Sequence, residues 1–437
     1  MIKRQNPKHK HITSFQIIIL GFLSVIILGS ILLMLPVATR DGKGAVCSDA
    51  LFTATSAVCV TGLVIHDTAT YWSMFGQSVI LFLIQIGGMG IVTVAVSVAA
   101  FSGRKIGLMQ RSTMQEAVSA HHVGGIVRLT KFILKTSVCI ELIGAALLLP
   151  AFIRDFGITK GLWYALFHSV SAFCNAGFDL IGIKEPFSSL TSYSSQPFFN
   201  FTVMALIIIG GIGFLTWEDI NNNKLHFRKY RMQSKVILTI TGILIILPSL
   251  YFFFFEYQNL PLGERILTSL FQSVTTDLTS FSETGQMLII LLMLIGGSPD
   301  STAGGMKTTT IAVLVSSALS VFRKKEDTHF FKRRISDDTV KSAATIFLLY
   351  IGLFISGGMI ISRENLPLLP SLFETASAIG TVGLSLGITS QLGIASQFIL
   401  IILMFFGRVG GLTLIFAEMK GTGTNVTKYP QEKITVG

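Results

Sequence analysis

The chain has 437 residues, of which 51% are hydrophobic and 13% charged, with a formal net charge of +11. Soluble domains carry about a quarter of their residues as charges, so this chain has too little polar surface to cover a water-exposed body. Disorder, a disulfide scaffold and a basic nucleic-acid binder fit poorly, and the composition defines a polytopic membrane protein. The four cysteines, Cys47, Cys59, Cys139 and Cys174, form no CxxC pair and read as isolated thiols.

The first apolar run, from Ser14 to Leu35, is too long for a signal-peptide core and is followed by no small-residue cleavage site. It predicts a spanning helix. A span needs about 20 apolar residues, and further runs lie near 73–101, 132–153, 197–217, 236–255, 287–321 (interrupted), 342–362 and 395–417, eight in all. The segments between them alternate in charge. The N-terminal tail and the segments after the even-numbered spans hold 24 of the 34 Lys and Arg residues, and those after the odd-numbered spans hold seven. That asymmetry places both termini in the cytoplasm and the chain in the cell membrane. The clusters Arg323-Lys324-Lys325 and Lys332-Arg333-Arg334 suit anionic lipid or a cytoplasmic partner rather than nucleic acid.

The outward segments share a pattern. Each carries a Leu-Phe pair (Leu51-Phe52, Leu166-Phe167, Leu270-Phe271, Leu372-Phe373) followed by a Ser, Thr and Ala-rich run too short to span. These runs predict re-entrant pore helices. A glycine follows the phenylalanine by ten residues in repeats 1, 2 and 4, at Gly62, Gly177 and Gly383. Each following span then carries glycines: Gly87-Gly88-Met89-Gly90, Gly210-Gly211-Ile212-Gly213, Gly296-Gly297 and Gly407-Arg408-Val409-Gly410. The expected fold is all-α, with four span, pore-loop, span repeats in pseudo-fourfold symmetry around one pore. The boundaries are a cytoplasmic tail over 1–13, repeats over 14–111, 112–231, 232–334 and 335–418, and a cytoplasmic tail over 419–437.

An ion leaving water needs replacement oxygens, and rings of backbone carbonyls can provide them. Aiming successive carbonyls at one axis requires backbone angles that glycine tolerates. Non-helical backbone survives at membrane depth only where it lines a watery path or is buried in protein. For the span glycines, close helix packing is the simpler alternative.

Val60-Thr61-Gly62-Leu63, Asn175-Ala176-Gly177-Phe178 and Thr381-Val382-Gly383-Leu384 resemble the filter loops of the Trk/Ktr/HKT cation transporters. The similarity covers nearly the whole chain. Its length, its eight expected spans and the stretches IGGSPDSTAGGMKTTT and FFGRVGGLT most resemble the bacterial Ktr-type membrane subunit. The resemblance implies potassium uptake, often sodium-dependent, with potassium held at the backbone of Gly62, Gly177 and Gly383. It also implies a homodimer with one pore per subunit and a cytoplasmic ring of nucleotide-binding regulatory subunits. No cofactor and no enzymatic activity are expected of this chain, because Gly304-Gly305-Met306-Lys307-Thr308 lacks the P-loop spacing.

Repeat 3 departs from its siblings. Ten residues after Phe271 stands Phe281, and the distance from Phe271 to the next glycine pair is 25 residues, against 34 to 43 elsewhere. By resemblance, Thr275 and Thr276 should lead into a glycine-phenylalanine filter turn before Asp277, and about eight residues are absent. Thr275, Thr276 and Asp277 form an atypical third filter, and the expected consequence is impaired conduction. The alternative is a non-conducting scaffold that binds a regulatory ring.

Proline and paired glycines also interrupt span 6. Resemblance makes Gly297, Ser298, Pro299, Asp300, Ser301, Thr302, Gly304 and Gly305 an intramembrane gating loop, with Lys307 beside it. Arg408, a costly intramembrane charge, is the leading gate residue. Its alternative role is to neutralise buried helix C-terminal carbonyls. Asp300 could hold a cation or pair with Arg408 or Lys307. Glu141 is either an ion site or a packing residue. His168 and Glu374 are expected to make structural hydrogen bonds. Asp67 and Asp179 form either an electronegative mouth or plain loop acids.

Overall fold

In hydrocarbon a backbone must satisfy its own hydrogen bonds, so apolar runs of this length become helices. A computed structural model of the chain describes residues 13–95, 113–115, 125–183, 187, 189–193, 195–224, 226–275 and 281–410. Helix α1, Ser14–Leu33, opens with a capping box in which Thr13 and Gln16 exchange side-chain and backbone bonds. Its 20 residues cover about 30 Å, the thickness of a bilayer core. Then follow α2 (Cys47–Val58), α3 (Met74–Met89) and α4 (Ile126–Phe173). Next come α5 (Pro197–Gly211), α6 (Phe214–Asn223), α7 (Met232–Tyr251) and α8 (Leu262–Val274). The series continues with α9 (Glu283–Leu294), α10 (Thr308–Phe322), a hairpin of β1 (His329–Phe330) and β2 (Arg333–Arg334), α11 (Asp337–Ile361), α12 (Leu368–Gly380) and α13 (Ile394–Val409).

Eight continuous spans are not what the described residues form. Four helices are long and apolar enough to cross a membrane alone, and α5 with α6 makes a fifth only as a pair bent by 98°. The long helix α4 joins the expected third span to its pore helix, with a break at Gly157, whose φ is 77°. The second span of repeats 1, 2 and 4 is cut short by one device. Gly90, Gly213 and Gly410 sit at φ 83 to 89° with extended ψ, a conformation closed to other residues. In repeat 3 the interruption between α9 and α10 does the same. A helix of 16 residues such as α3 reaches about 24 Å, short of the bilayer core.

The first glycine of each cluster serves packing. A Cβ on Gly87 would strike the carbonyl of Val58, on Gly210 that of Phe173, and on Gly407 that of Ile379. All three carbonyls lie six residues after the pore-helix phenylalanine, so each span presses a bare backbone against the C-terminal end of its own pore helix. The close-packing alternative therefore accounts for this glycine. Gly407→Ala is expected to destabilise the protein by about 1–3 kcal/mol, the range for overpacking. Gly352, within α11 and with no atom within 4 Å of a built Cβ, is the control. Thermal unfolding in detergent should show a lowered midpoint for Gly407→Ala and an unchanged or raised one for Gly352→Ala.

Candidate functional site

The pore helices of repeats 1, 2 and 4 end in one and the same turn. Val60 N–H donates to the Ala57 carbonyl and Thr61 N–H to that of Ser56, at 3.1 and 2.8 Å. Asn175 and Ala176 repeat the pattern onto Ala172 and Ser171, and Thr381 and Val382 onto Ala378 and Ser377. This is a Schellman ending, which normally places glycine in the left-handed position. Here that position holds Val60 (φ 56°), Asn175 (59°) and Thr381 (52°). A β-branched residue in this region is strained, as at Val60 and Thr381, whereas Asn175 adopts it more readily. Two residues on, Gly62, Gly177 and Gly383 take φ of 94°, 72° and 87°.

The three loops converge. A Cβ on Gly62 would lie 3.0 Å from Gly177 Cα and against the Ala176 carbonyl. One on Gly383 would lie 2.8 Å from Gly62 Cα and against the Thr61 carbonyl, and one on Gly177 would meet the Thr61 and Val382 carbonyls at 3.6 Å. Backbone oxygens of Thr61, Ala176 and Val382 thus gather around three glycine Cα atoms. Thr61 is fully buried and Thr381 nearly so. In repeats 1 and 2 the serine four residues after the pore-helix phenylalanine supports the loop: Ser56 Oγ accepts from Gly62 N–H at 3.1 Å, and Ser171 Oγ donates to the Phe178 carbonyl at 2.7 Å. These serines were legible by spacing alone, since Ser56, Ser171 and Ser377 share one offset.

Repeat 3 lacks this ending. Helix α8 stops at Val274, three residues after Phe271, whereas α2 runs six past Phe52 and α12 seven past Phe373. Thr275 is extended (φ −144°) and its N–H donates to the Phe271 carbonyl. Thr276 and Asp277 lie outside the described residues. A cavity of about 310 Å³ lies beside the end of α8, lined among others by Ser273, Thr275, Gly177, Val382 and Gly297.

The stretch between α9 and α10 threads through the other repeats. Ser298 and Thr302 N–H groups donate to the Gly211 and Gly210 carbonyls, Gly304 N–H to Thr381 Oγ1 at 3.0 Å, and Gly305 N–H to the Gly407 carbonyl. Thr302 Oγ1 receives Asn175 Nδ2 at 2.7 Å and donates to the Phe173 carbonyl, which ties it to the loop that follows α4. Pro299 and Asp300 pack against the α5–α6 break, where the Asp300 carbonyl accepts Phe214 N–H at 2.7 Å. Asp300 holds φ 57°, a conformation glycine adopts more easily. Ser301 Oγ closes on the Ser298 carbonyl, and Lys307 Nζ donates to that of Ala303 at 2.9 Å. Arg408 donates to the Thr302, Gly87 and Gly88 carbonyls. Arg408 therefore neutralises the last carbonyls of α3, as its alternative role expects, and joins the interrupted stretch to them. Asp300, Lys307 and Arg408 line one cavity of about 340 Å³.

The flanking polar groups are structural. His168 Nδ1 donates to the Tyr164 carbonyl at 2.8 Å and Nε2 accepts Leu180 N–H at 3.2 Å, which sets its neutral tautomer. Glu374 accepts from Ser385 Oγ and from Thr389 Oγ1. Both residues stand one past a pore-helix phenylalanine and hold the chain leaving the filter. Asp67 is buried: it caps Thr68–Tyr71 through Ala69 and Thr70 N–H and accepts Phe187 N–H at 3.1 Å. Glu141, 5% exposed, accepts both bonds of Gln85 Nε2 at 2.8 and 3.1 Å, a contact across 56 residues that no sequence pattern announced. Half-buried Asp179 accepts Ile181 N–H at 3.0 Å.

Apolar helices long enough to cross a membrane, packed around short helices whose glycine loops meet backbone to backbone, define an integral membrane protein. The family model TrkH, described as a cation transport protein, matches residues 3–426, and the chain belongs to this family. It is 38% identical to the potassium/sodium uptake protein NtpJ of Enterococcus hirae over 448 residues, covering 98% of each chain. It is 38% identical to the Ktr system potassium uptake protein B of Bacillus subtilis, covering 97% of this chain and 96% of the relative. The crystal structure of the potassium transporter TrkH from Vibrio parahaemolyticus shares the fold, with a TM-score of 0.75 at 19% identity, over 95% of this chain and 87% of that one.

Proposed function

We propose that this chain is the cation-translocating membrane subunit of a potassium uptake system. In this reading Val60-Thr61-Gly62, Asn175-Ala176-Gly177 and Thr381-Val382-Gly383 are three sides of one filter. The carrying observation is the same left-handed turn at the end of three pore helices, each followed by a positive-φ glycine, with Gly62 packed against both Gly177 and Gly383. Each helix delivers its negative C-terminal end to the loop it feeds, which favours a cation there. The names of the relatives agree, potassium being common to those compared. Sodium coupling, a homodimer, a cytoplasmic nucleotide-binding ring and cytoplasmic termini are further expectations carried by resemblance and by the charge asymmetry.

The fourth side is Thr275, Thr276 and Asp277, and it supports a narrower reading: conduction in this form is impaired. Helix α8 ends about one turn early and without the left-handed residue. An ion that loses one of four oxygen strands is left partly dehydrated at a cost of several kcal/mol. The test is potassium uptake in a strain that lacks its own uptake systems. Ordinary selective flux would overturn impairment. Failure to gain flux when a glycine-containing turn is inserted after Thr276 would instead favour a non-conducting scaffold.

The outer mouth adds a pH dependence. Burial pushes the Asp179 carboxyl up to about 6, opposed by the Ile181 N–H and reinforced by the charge of Asp67. Because the folded-state value is raised, the native chain holds a proton that the unfolded chain has lost between about pH 4 and 6. Stability from this group therefore falls as pH rises through 6, while the mouth gains negative charge. Uptake by the loop-restored form is expected to drop as external pH falls from 7 to 5, and Asp179→Asn should flatten that profile.

A further inference from the structure

We propose that the hairpin between α10 and α11, together with the start of α7, is a binding site for anionic phospholipid headgroups. The apolar stripe of α10 shows where the membrane ends. Val315, Leu319 and Phe322, spaced for one helix face, are exposed, Phe322 to 82%. The next three residues are Arg323, Lys324 and Lys325, all exposed. Cations that directly follow a lipid-facing stripe stand at the depth of the phosphates.

The hairpin brings a second set to the same level. His329 pairs with Arg334 and Phe330 with Arg333, leaving Phe331 and Lys332 as a two-residue turn. Both turn residues have positive φ, 46° and 64°, as a type I′ turn requires, and such turns prefer Asn-Gly. Lys324 likewise occupies the left-handed position of a Schellman ending, where Lys324 and Lys325 N–H groups meet the Val321 and Ser320 carbonyls. At three positions where glycine or asparagine would relieve strain, the chain carries phenylalanine or lysine. Strain held in place this way points to a use for the side chains.

The neighbouring phenylalanines divide the work. Phe330 packs against the small cluster of Val313, Ile335 and Ala343 and anchors the hairpin. Phe331 stays 48% exposed, with its ring 6.3 Å from Phe227 and Lys235 Nζ 5.9 Å from its centroid. An aromatic ring flanked by lysines matches the boundary between acyl chain and headgroup. Among the described residues, Arg231 and Arg334 are ion-paired on this face, whereas Lys325, Lys332 and Arg333 have no acidic partner. The occupant we favour over a protein is a phospholipid, because the basic set continues a lipid-facing stripe and carries its own exposed ring.

The inference rests on the membrane orientation proposed above but not on transport, so its failure and that of the uptake reading are distinguishable. The full chain is placed in nanodiscs of phosphatidylcholine with and without phosphatidylglycerol, and retained lipid is read by native mass spectrometry. Phosphatidylglycerol should be retained preferentially. Lys325→Gln with Lys332→Gln and Arg333→Gln should reduce retention at least tenfold, since each cation near the surface contributes about fivefold. Phe331→Ser should weaken retention without changing its salt dependence. Arg334→Gln, which also removes a hairpin ion pair, is avoided, and an unchanged thermal midpoint verifies that the triple variant folds. Equal retention by wild type and triple variant would overturn the site. So would competition by inorganic phosphate as effective as that by lipid. A triple variant that retains lipid normally but no longer captures a cytoplasmic nucleotide-binding protein would make this face a protein dock instead.

Discussion

Insertion of about eight residues containing a glycine-phenylalanine turn after Thr276 is expected to raise potassium uptake in proteoliposomes by at least tenfold. The reasoning is geometric. Three pore helices reach six or seven residues past their phenylalanine and turn through a left-handed residue, while α8 reaches three and runs out extended. In the proposed reading, an ion crossing this ring meets three sets of carbonyls among the described residues, those of repeats 1, 2 and 4. A deficit of several kcal/mol in coordination corresponds to factors of ten for every 1.4 kcal/mol. Restoring length alone with a glycine-free insert should not restore flux, because the loop glycines at Gly62, Gly177 and Gly383 all need positive φ and bare Cα atoms at contact distance. Flux that rises equally with either insert would show that the pore helix position, not the carbonyl strand, is the lesion.

Arg408→Ala is the second large effect. The guanidinium joins the Thr302 carbonyl of the interrupted stretch to the Gly87 and Gly88 carbonyls that end α3. Its removal strands three acceptors, each at a cost of about 1–3 kcal/mol if no water replaces the bond. The stretch would then be tethered by the Ser298, Thr302, Gly304 and Gly305 N–H groups, the Thr302 hydroxyl and the Asp300 carbonyl. In the loop-restored form, cation leak through the resting protein should rise severalfold, with a lower thermal midpoint. Arg408→Lys should rescue only part of both, since one ammonium cannot reproduce a planar fork that reaches carbonyls on two elements. Unchanged leak in Arg408→Ala would remove this residue from the gate and leave it a helix-capping cation.

Much of the site could be read from residue order. The ten-residue spacing singled out Gly62, Gly177 and Gly383, and the same count exposed the anomaly of repeat 3. The break in the sixth span followed from Pro299 and its glycines, since such backbone cannot continue a helix. Other features were illegible for definite reasons. Val60 and Thr381 are β-branched, so nothing in their identity announces a left-handed conformation. For Asp67 the sequence left a mouth charge and a plain loop acid open, and its contact with Phe187, 120 residues away, which buries it as a helix cap, has no sequence signal. Gln85 and Glu141 find each other only once α3 packs on α4.

Composition and charge order by themselves determined a membrane protein with a basic side, because a chain 51% apolar and 13% charged has no other solvent in which to fold. The repeated Leu-Phe pairs and the Ser, Thr and Ala-rich runs after them, too polar and too short to span, marked the segments that form α2, the end of α4, α8 and α12. The tertiary structure decided what the glycines do. Gly62 meets both other loop glycines, the first span glycine of repeats 1, 2 and 4 receives a carbonyl near the end of its own pore helix, and the final one breaks the span. The first of these depends on contacts between repeats more than 100 residues apart and the second on packing within one repeat, and close backbone approach leaves no mark in a sequence beyond the glycine itself.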